Sequence, residues 1–276
     1  MRKATVDRPV VQLAADGSRK ARRDRVAGEE PLEIRVVSPG AEPSTIAITM
    51  RTPGHDFALA VGFLTTEGIL RGADDLRSVE YCTKGVGVEQ KYNIVTVRTT
   101  RPPPDGLSRR ALITSASCGI CGTSTLDDLQ ASVPESRAND STVVEAALLV
   151  SLPDRLREEQ TLFERTGGLH GVGLFDASGR MLFVREDIGR HNAVDKVIGE
   201  AVLAKHVTLA GALLVVSGRV SFEIVQKAAM VGISIIVAVS AASSLAIDAA
   251  ERLGITLAGF VRNGGANLYT HAHRVG

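Results

Sequence analysis

Two closely spaced thiols carry the sharpest chemistry in this sequence, in Cys118-Gly119-Ile120-Cys121. The attacking form of a cysteine is the thiolate, and an unperturbed thiol has a pKa of about 8.5. Thr123, Ser124 and Thr125 follow the pair and can start a helix, whose N-terminal field favours the thiolate. Gly119 and Gly122 leave both sulfurs uncrowded. Such a pair can exchange sulfur or close to a disulfide. The spacing alone leaves three readings open. A structural zinc site needs four ligands, and there is no second Cys-x-x-Cys. A thioredoxin-like site sits beside a βαβ pattern, whereas the surroundings here read as α+β. Sulfur carriage is the third reading. Cys82 reads as a small, partly buried residue.

A second group of candidates lies in four short segments rich in Arg, Ser, Asn and Gly. They are Arg185-Glu186-Asp187-Ile188-Gly189-Arg190-His191-Asn192, Ser217-Gly218-Arg219-Val220-Ser221, Ser240-Ala241-Ala242-Ser243-Ser244 and Arg262-Asn263-Gly264-Gly265. Each follows an apolar run that reads as a strand, and three precede helices. Helix N-termini favour anions, glycine lets backbone N–H groups approach a ligand, and arginine presents a fork matched to phosphate. Convergence of these loops points to a phosphate-bearing ligand. The bland alternative is that Ser and Gly cap helices and Arg pairs with nearby carboxylates. Glu186, Asp187, His191 and Asp195 could form an acid/base group or could fix the arginines; the structural reading is favoured. His55 and His170 read as singly satisfied histidines. The ending Tyr269-Thr270-His271-Ala272-His273 reads as a mobile tail rather than a metal pair.

The elements that must position these residues follow from periodicity. Residues 1–28 read as a flexible basic arm. Residues 32–36 and 45–50 alternate as half-buried strands, 57–67 has helical spacing closed by Gly68, and 93–98 is a strand. Helices are expected at 124–132 and 152–165, with a domain boundary between 134 and 151. Residues 169–175 and 180–185 make a hairpin. Beyond it, strands at 212–217, 233–239 and 256–261 alternate with helices at 194–202, 221–231 and 243–253, each helix having a serine cap or an apolar stripe. That alternation argues a mainly parallel sheet covered on both faces, with ligands outside the carboxyl ends of its strands.

Bulk properties narrow the function classes. The 276 residues suffice for one large domain or two smaller ones. The net charge is +1, aromatics are 4% and there is no Trp, so neither a global field nor stacking rows point to nucleic acid or a membrane surface. The longest apolar runs, 209–216 and 233–239, are too short to span a bilayer. No secretory signal is read at the N-terminus, and three cysteines do not make a disulfide framework, so a cytoplasmic setting is expected.

The residues reached so far resemble the formate dehydrogenase accessory sulfurtransferase family, the FdhD proteins. The likeness runs from about Glu30 to Tyr269. It rests on Glu30-Pro31-Leu32-Glu33-Ile34, Met50-Arg51-Thr52-Pro53-Gly54, Ser117-Cys118-Gly119-Ile120-Cys121-Gly122, Thr166-Gly167-Gly168-Leu169-His170, the long run from Arg185 through Gly199, Ser217-Gly218-Arg219 with Ser221-Phe222-Glu223, and Ala238-Val239-Ser240-Ala241 with Ser243-Ser244-Leu245-Ala246. The resemblance implies an α/β protein: an α+β part over residues 29–145 carrying the Cys-x-x-Cys loop, and a cytidine-deaminase-like α/β cofactor-binding domain over 146–276. It implies a sulfurtransferase that takes sulfur from a cysteine desulfurase as a persulfide. The sulfur then passes to the molybdenum bis(molybdopterin guanine dinucleotide) cofactor before insertion into apo formate dehydrogenase. Cys118 is then the persulfide-bearing residue and Cys121 its partner. The cofactor segment maps to Phe260-Val261-Arg262-Asn263-Gly264-Gly265, beside Ser217, Arg219 and Ser240 on the rim. GDP is the natural surrogate ligand, no metal is bound directly, and a homodimer is implied. Residues 1–28 match nothing in the family, and the loop at 263–266 is less basic than in many relatives. A nucleoside deaminase is the rival enzyme, but the His-x-Glu and Pro-Cys-x-x-Cys zinc pattern is missing. A cofactor-binding chaperone that does not use the thiols is the non-enzyme rival.

Overall fold

The computed structural model describes residues 3–82, 92–102, 140–205 and 209–276. Cys118, Cys121 and the helix expected at 124–132 lie outside the described residues.

The first half is organised by a four-stranded sheet in the order β4-β3-β6-β5. Its strands are β3 (Glu30–Val37), β4 (Ser44–Arg51), β5 (Leu76–Tyr81) and β6 (Ile94–Thr99). Alternation in β3 puts Leu32, Ile34 and Val36 on one face, each at most 2% exposed. They meet Leu59, Val61 and Leu64 of α1 (Asp56–Thr66) in a shared core. Helix α1 is apolar all round, as a helix covered on opposite sides must be. Its far side meets the second half of the protein.

That half contains α2 (Ala146–Glu159), α3 (Thr161–Thr166), β7 (His170–Phe175), β8 (Met181–Asp187), α4 (Arg190–Leu203), β9 (Leu213–Val216), α5 (Phe222–Met230), β10 (Ile235–Ala238), α6 (Ser244–Arg252), β11 (Thr256–Arg262) and β12 (Gly265–Thr270). The sheet runs β12-β11-β10-β9-β7-β8. Strands β9, β10 and β11 are parallel, as the run of apolar strands and helices predicts. The β7–β8 hairpin joins through an antiparallel β7–β9 pair, which turns β8 back into the direction of β9. Period two then divides the core. Leu214, Val216, Ile236 and Leu257 face α4, α5 and α6, while Leu213, Val215, Ile235 and Val237 face α2. Val144 bridges to Val275, which ties the start of this half to the residues after β12.

The two halves meet where α1 crosses α4, backbone against backbone. A Cβ on Gly62 would overlap the Asp195 carbonyl oxygen and lie 2.8 Å from the Gly199 nitrogen. A Cβ on Gly199 would lie 2.6 Å from the Gly62 nitrogen and overlap the Ala58 carbonyl oxygen. Only glycine fits at either position, because the obstructing atoms are main chain and cannot swing aside.

Several elements differ from the sequence expectations. In place of a flexible arm, β1 (Thr5–Leu13) and β2 (Arg19–Ala27) pair as an antiparallel ribbon. Its turn carries a hairpin signal: Gly17 has φ of 82°, and Asp16 Oδ1 accepts from the Ser18 N–H at 2.8 Å. The ribbon lies against α3, since two strands alone are marginal in water. Of the expected tail at 269–273, Tyr269 and Thr270 close strand β12 and the rest enters a 3-10 turn at Ala272–Arg274. Thr270 Oγ1 donates to the Ile255 carbonyl at 2.6 Å and accepts from the Leu257 N–H at 3.0 Å. The helix expected at 152–165 starts earlier and breaks at Gln160 into α2 and α3. Strand β5 is too short and polar for its alternation to stand out.

The glycine contact predicts a sharp stability effect. Gly62→Val and Gly199→Val should each lose about 3 kcal/mol or more, the upper range for overpacking. Gly276→Ala, facing open space, should cost nothing measurable. Denaturant midpoints decide it; wild-type midpoints for both valine variants would mean that the helices do not cross at these glycines.

Candidate functional site

Because β8, β9, β10 and β11 run the same way, their carboxyl ends share one edge of the sheet. The loops that follow are zipped together there. The Val220 N–H donates to the Ala241 carbonyl and the Ser243 N–H to the Val220 carbonyl, both at 3.0 Å. The Phe260 N–H donates to the Ser240 carbonyl at 3.0 Å. Ser217 Oγ accepts from the Gly171 N–H at 2.9 Å, tying the β9 loop to β7. Ser217, Arg219, Ser240 and the segment 260–265 are thus neighbours on one rim, as the sequence predicts. Ser221 and Ser243 stand at the starts of α5 and α6, and the Ser243 hydroxyl caps its helix by accepting from the Ala246 N–H at 3.2 Å.

The segment 260–265, expected as a loop after a strand end, is a tight hairpin. Asn263 and Gly264 both have positive φ, 53° and 73°, and Arg262 pairs with Gly265. This is an Asn-Gly two-residue hairpin, a turn that demands left-handed residues at both centres. The register slips between Gly259 and Arg262, and Phe260 takes φ of 51° within the slip. A bulge at a sheet edge re-aims the side chains that follow it. Here it leaves Phe260, Arg262, Asn263, Gly264 and Gly265 exposed, with the Arg262 guanidinium 5.4 Å from the Phe260 ring centre. Val261 is different: it is fully buried in the core against α2, so only its backbone can meet a ligand.

The acidic residues beside the rim are structural. The Glu186 carboxylate accepts from the Leu162 and Phe163 N–H groups at 2.9 and 2.7 Å, capping α3. Asp187 is fully buried. It pairs with Lys196 Nζ at 2.7 Å and accepts from the N–H groups of Thr52 and Gly189 and from Asn192 Nδ2. Lys196 Nζ also donates to the Thr52 carbonyl at 2.9 Å. Asp195 pairs with Lys227 Nζ at 2.9 Å and accepts from Thr66 Oγ1 at 2.8 Å. Burial pushes the Asp195 carboxyl up to about 6 against the pull of Lys227. Asp187 and Asp195 fix buried lysines and Glu186 a helix start, where arginines had been the expected partners. Lys196 and Lys227 were missed because a helical lysine ordinarily reads as solvated, and the partners that hold them buried arrive only with the fold.

The histidines separate in role. His191 Nε2 lies 3.1 Å from Ser221 Oγ and 3.8 Å from Glu223 Oε2. Burial holds its imidazole down to about 4, with Arg190 and Lys227 adding to the effect, so the ring is neutral at pH 7. Burial also lowers His170, beside Arg190 and Arg219. His55 stands 3.8 Å from Glu200 Oε2 at the start of α1. The His271 ring bonds the Glu251 carbonyl at 2.9 Å, which anchors the chain end. Among the described residues no three His, Cys, Asp or Glu side chains are grouped to hold a metal.

Comparison with known proteins agrees with the architecture. The chain is 46% identical over 279 residues to the sulfur carrier protein FdhD of Streptomyces avermitilis, covering 100% of this chain and 97% of that one. It is 44% identical over 258 residues to the protein of the same name from Thermoplasma volcanium, covering 91% and 89%. Its fold matches a crystal structure assigned as a formate dehydrogenase accessory protein from Desulfotalea psychrophila, with a TM-score of 0.73 over 99% of each chain and 23% identity. Residues 27–276 match the FdhD/NarQ family model. On the strength of that match and of near-half identity along a whole relative, this chain belongs to the FdhD/NarQ family.

Proposed function

We propose that the protein is a sulfur carrier that serves formate dehydrogenase maturation, with a two-part organisation in which residues 29–145 handle sulfur and 146–276 hold the recipient. The observation that carries this reading is the rim itself: Arg219, Arg262, Ser217 and Ser240 stand around one sheet edge, where anionic ligands of α/β folds bind. The names of the relatives, sulfur carrier and formate dehydrogenase accessory protein, support the same role.

In this reading Cys118 attacks the persulfide of a cysteine desulfurase, which leaves as a thiolate, and the sulfane sulfur stays on Cys118. Attack of Cys121 on the Cys118 sulfur then expels sulfide and leaves a Cys118–Cys121 disulfide. The two thiols supply both electrons, and a cellular thiol reductant restores them. The recipient is the molybdenum bis(molybdopterin guanine dinucleotide) cofactor, held as substrate before it enters apo formate dehydrogenase. Arg262 and the backbone of 260–265 take its guanine nucleotide phosphates, with Ser217, Arg219 and Ser240 beside them. The protein works as a cytoplasmic homodimer.

Two measurements test the reading. After incubation with a cysteine desulfurase and cysteine, the intact mass should rise by one sulfur that reductant removes, and Cys118→Ser should abolish the gain. An unchanged gain in that variant would exclude Cys118 as the carrier. Calorimetric titration should show GDP binding to the wild type. Arg262→Ala should weaken it about tenfold to a hundredfold, the loss of one charge-assisted hydrogen bond. Equal affinity in the variant would remove the hairpin from the nucleotide site.

A further inference from the structure

The basic run Arg19-Lys20-Ala21-Arg22-Arg23-Asp24-Arg25 has no part in the sulfur chemistry or the rim, and the structure makes it one strand of the β1–β2 ribbon. Hydrogen bonds at the two ends of the ribbon fix how each residue of β2 is turned. The Ala14 N–H donates to the Ser18 carbonyl at 3.0 Å, and the Gly28 N–H to the Ala4 carbonyl at 2.7 Å. Bonded and open pairs alternate along an antiparallel ladder. With the register running from Thr5↔Ala27 to Leu13↔Arg19, every odd-numbered residue of β2 sits in an open pair. Its N–H and C=O point away from β1, and among the described residues no further strand pairs with β2. Arg19, Ala21, Arg23 and Arg25 are all exposed, so this row of donors and acceptors faces solvent. The other edge of the ribbon is blunted. Pro9 lies opposite Arg23 in an open pair, so the N–H it lacks is an outward one, and the row on β1 is broken at its middle.

Charge decides what fits the open edge. Strand β2 carries Arg19, Lys20, Arg22, Arg23 and Arg25 against a single acid, Asp24. Asp24 pairs with Arg22 at 3.3 Å and Asp7 with Arg25 at 3.2 Å, while Arg19, Lys20 and Arg23 have no ion-pair partner among the described residues. A second copy pairing through the same edge would set basic side chains against basic ones, which is destabilising. Val11 and Leu13 are 62% and 66% exposed and stand opposite Ala21 and Arg19 on the same face. A polyphosphate would leave them uncovered, and neither strand has an aromatic ring for a base to stack on. We propose that the free edge of β2 takes an extended acidic segment of a partner protein as a third strand. The backbone at 19, 21, 23 and 25 pairs with the segment. Carboxylates two residues to either side of an apolar residue meet Arg19 and Arg23, and the apolar residue covers Ala21 and Val11. The pattern read is acidic-x-apolar-x-acidic, and it is bound whether or not the rim takes a nucleotide.

The probe is a capped, fluorescent peptide, Thr-Glu-Thr-Val-Thr-Glu-Thr, titrated with the full chain and read by anisotropy. Anisotropy should rise saturably, the same peptide with Lys in place of Glu should not bind, and affinity should fall with salt. Arg19→Glu combined with Arg23→Glu should weaken binding about tenfold or more, since an exposed ion pair contributes up to about fivefold and reversal adds repulsion. Ala21→Pro separates strand pairing from charge. The Ala21 N–H is not used by β1, so the ribbon persists and only an outward donor is lost. That variant should bind about fivefold more weakly or worse. Should Ala21→Pro unfold the ribbon, N-methylation of alternate peptide residues carries the same comparison, abolishing binding in one phase and sparing it in the other. Absence of saturable binding to the wild type, equal binding of the Lys peptide, or wild-type affinity in Ala21→Pro overturns the proposal. So does a dimer that Ala21→Pro dissociates, which gives the edge to a second copy. Binding of an RNA oligonucleotide or of phosphatidylserine vesicles in place of the peptide overturns it as well and assigns the ribbon to that class.

Discussion

The structure depends on the crossing of α1 and α4, where Gly62 and Gly199 bring two main chains into contact. Around that contact lie two buried ion pairs, Asp187–Lys196 and Asp195–Lys227, each bonded to a threonine from the first half of the chain, Thr52 or Thr66. Buried pairs add little net stability over apolar packing, but removing one partner leaves an uncompensated charge at a cost of about 3–5 kcal/mol. Their effect here is positional. The Asp187 carboxylate holds Thr52 and the Gly189 N–H, while the Ile188 N–H donates to Thr52 Oγ1 at 3.1 Å. The loop that ends in Arg190 and His191 is thereby set at a fixed height above the sheet edge.

The parallel core was legible because its physics is local. Four-residue apolar strands between capped helices admit few arrangements, and Ser243 caps α6 as its position before an apolar stripe implies. The rim followed from topology once the strands were placed. What escaped depends on partners far along the chain. The lysines at 196 and 227 look like surface residues until α1 covers them, and Asp187 looks like an arginine partner until Thr52 arrives from 135 positions away. The ribbon and β12 were hidden for another reason: both are polar edge strands, whose alternation is blurred by solvent on most sides. Their turns, Asp16-Gly17 and Asn263-Gly264, were the better signals.

The rim joins two kinds of backbone. At the β9 and β10 ends the loops enter helices, so N–H groups and dipoles point outward in the ordinary way of α/β folds. At the β11 end there is no helix, and a strained, left-handed hairpin stands in its place. Phe260 and Asn263 keep positive φ without being glycine, and Val261 between Phe260 and Arg262 is locked into the core. One buried valine therefore anchors a stretch whose other side chains all face solvent, which fixes where the Arg262 side chain departs from the sheet.

The glycine crossing also bears on how the chain acquires its structure. Helix α1 is complete long before α4 has been synthesised, yet the face it needs covered stays bare until residue 199 arrives. Thr52 waits for Asp187, and Thr66 of α1 for Asp195 and Lys227. The four-stranded sheet is therefore not a self-sufficient folding unit, although it has its own core. The two sheets should melt in one cooperative transition, and a nascent chain halted before α4 should present an apolar helix face to chaperones.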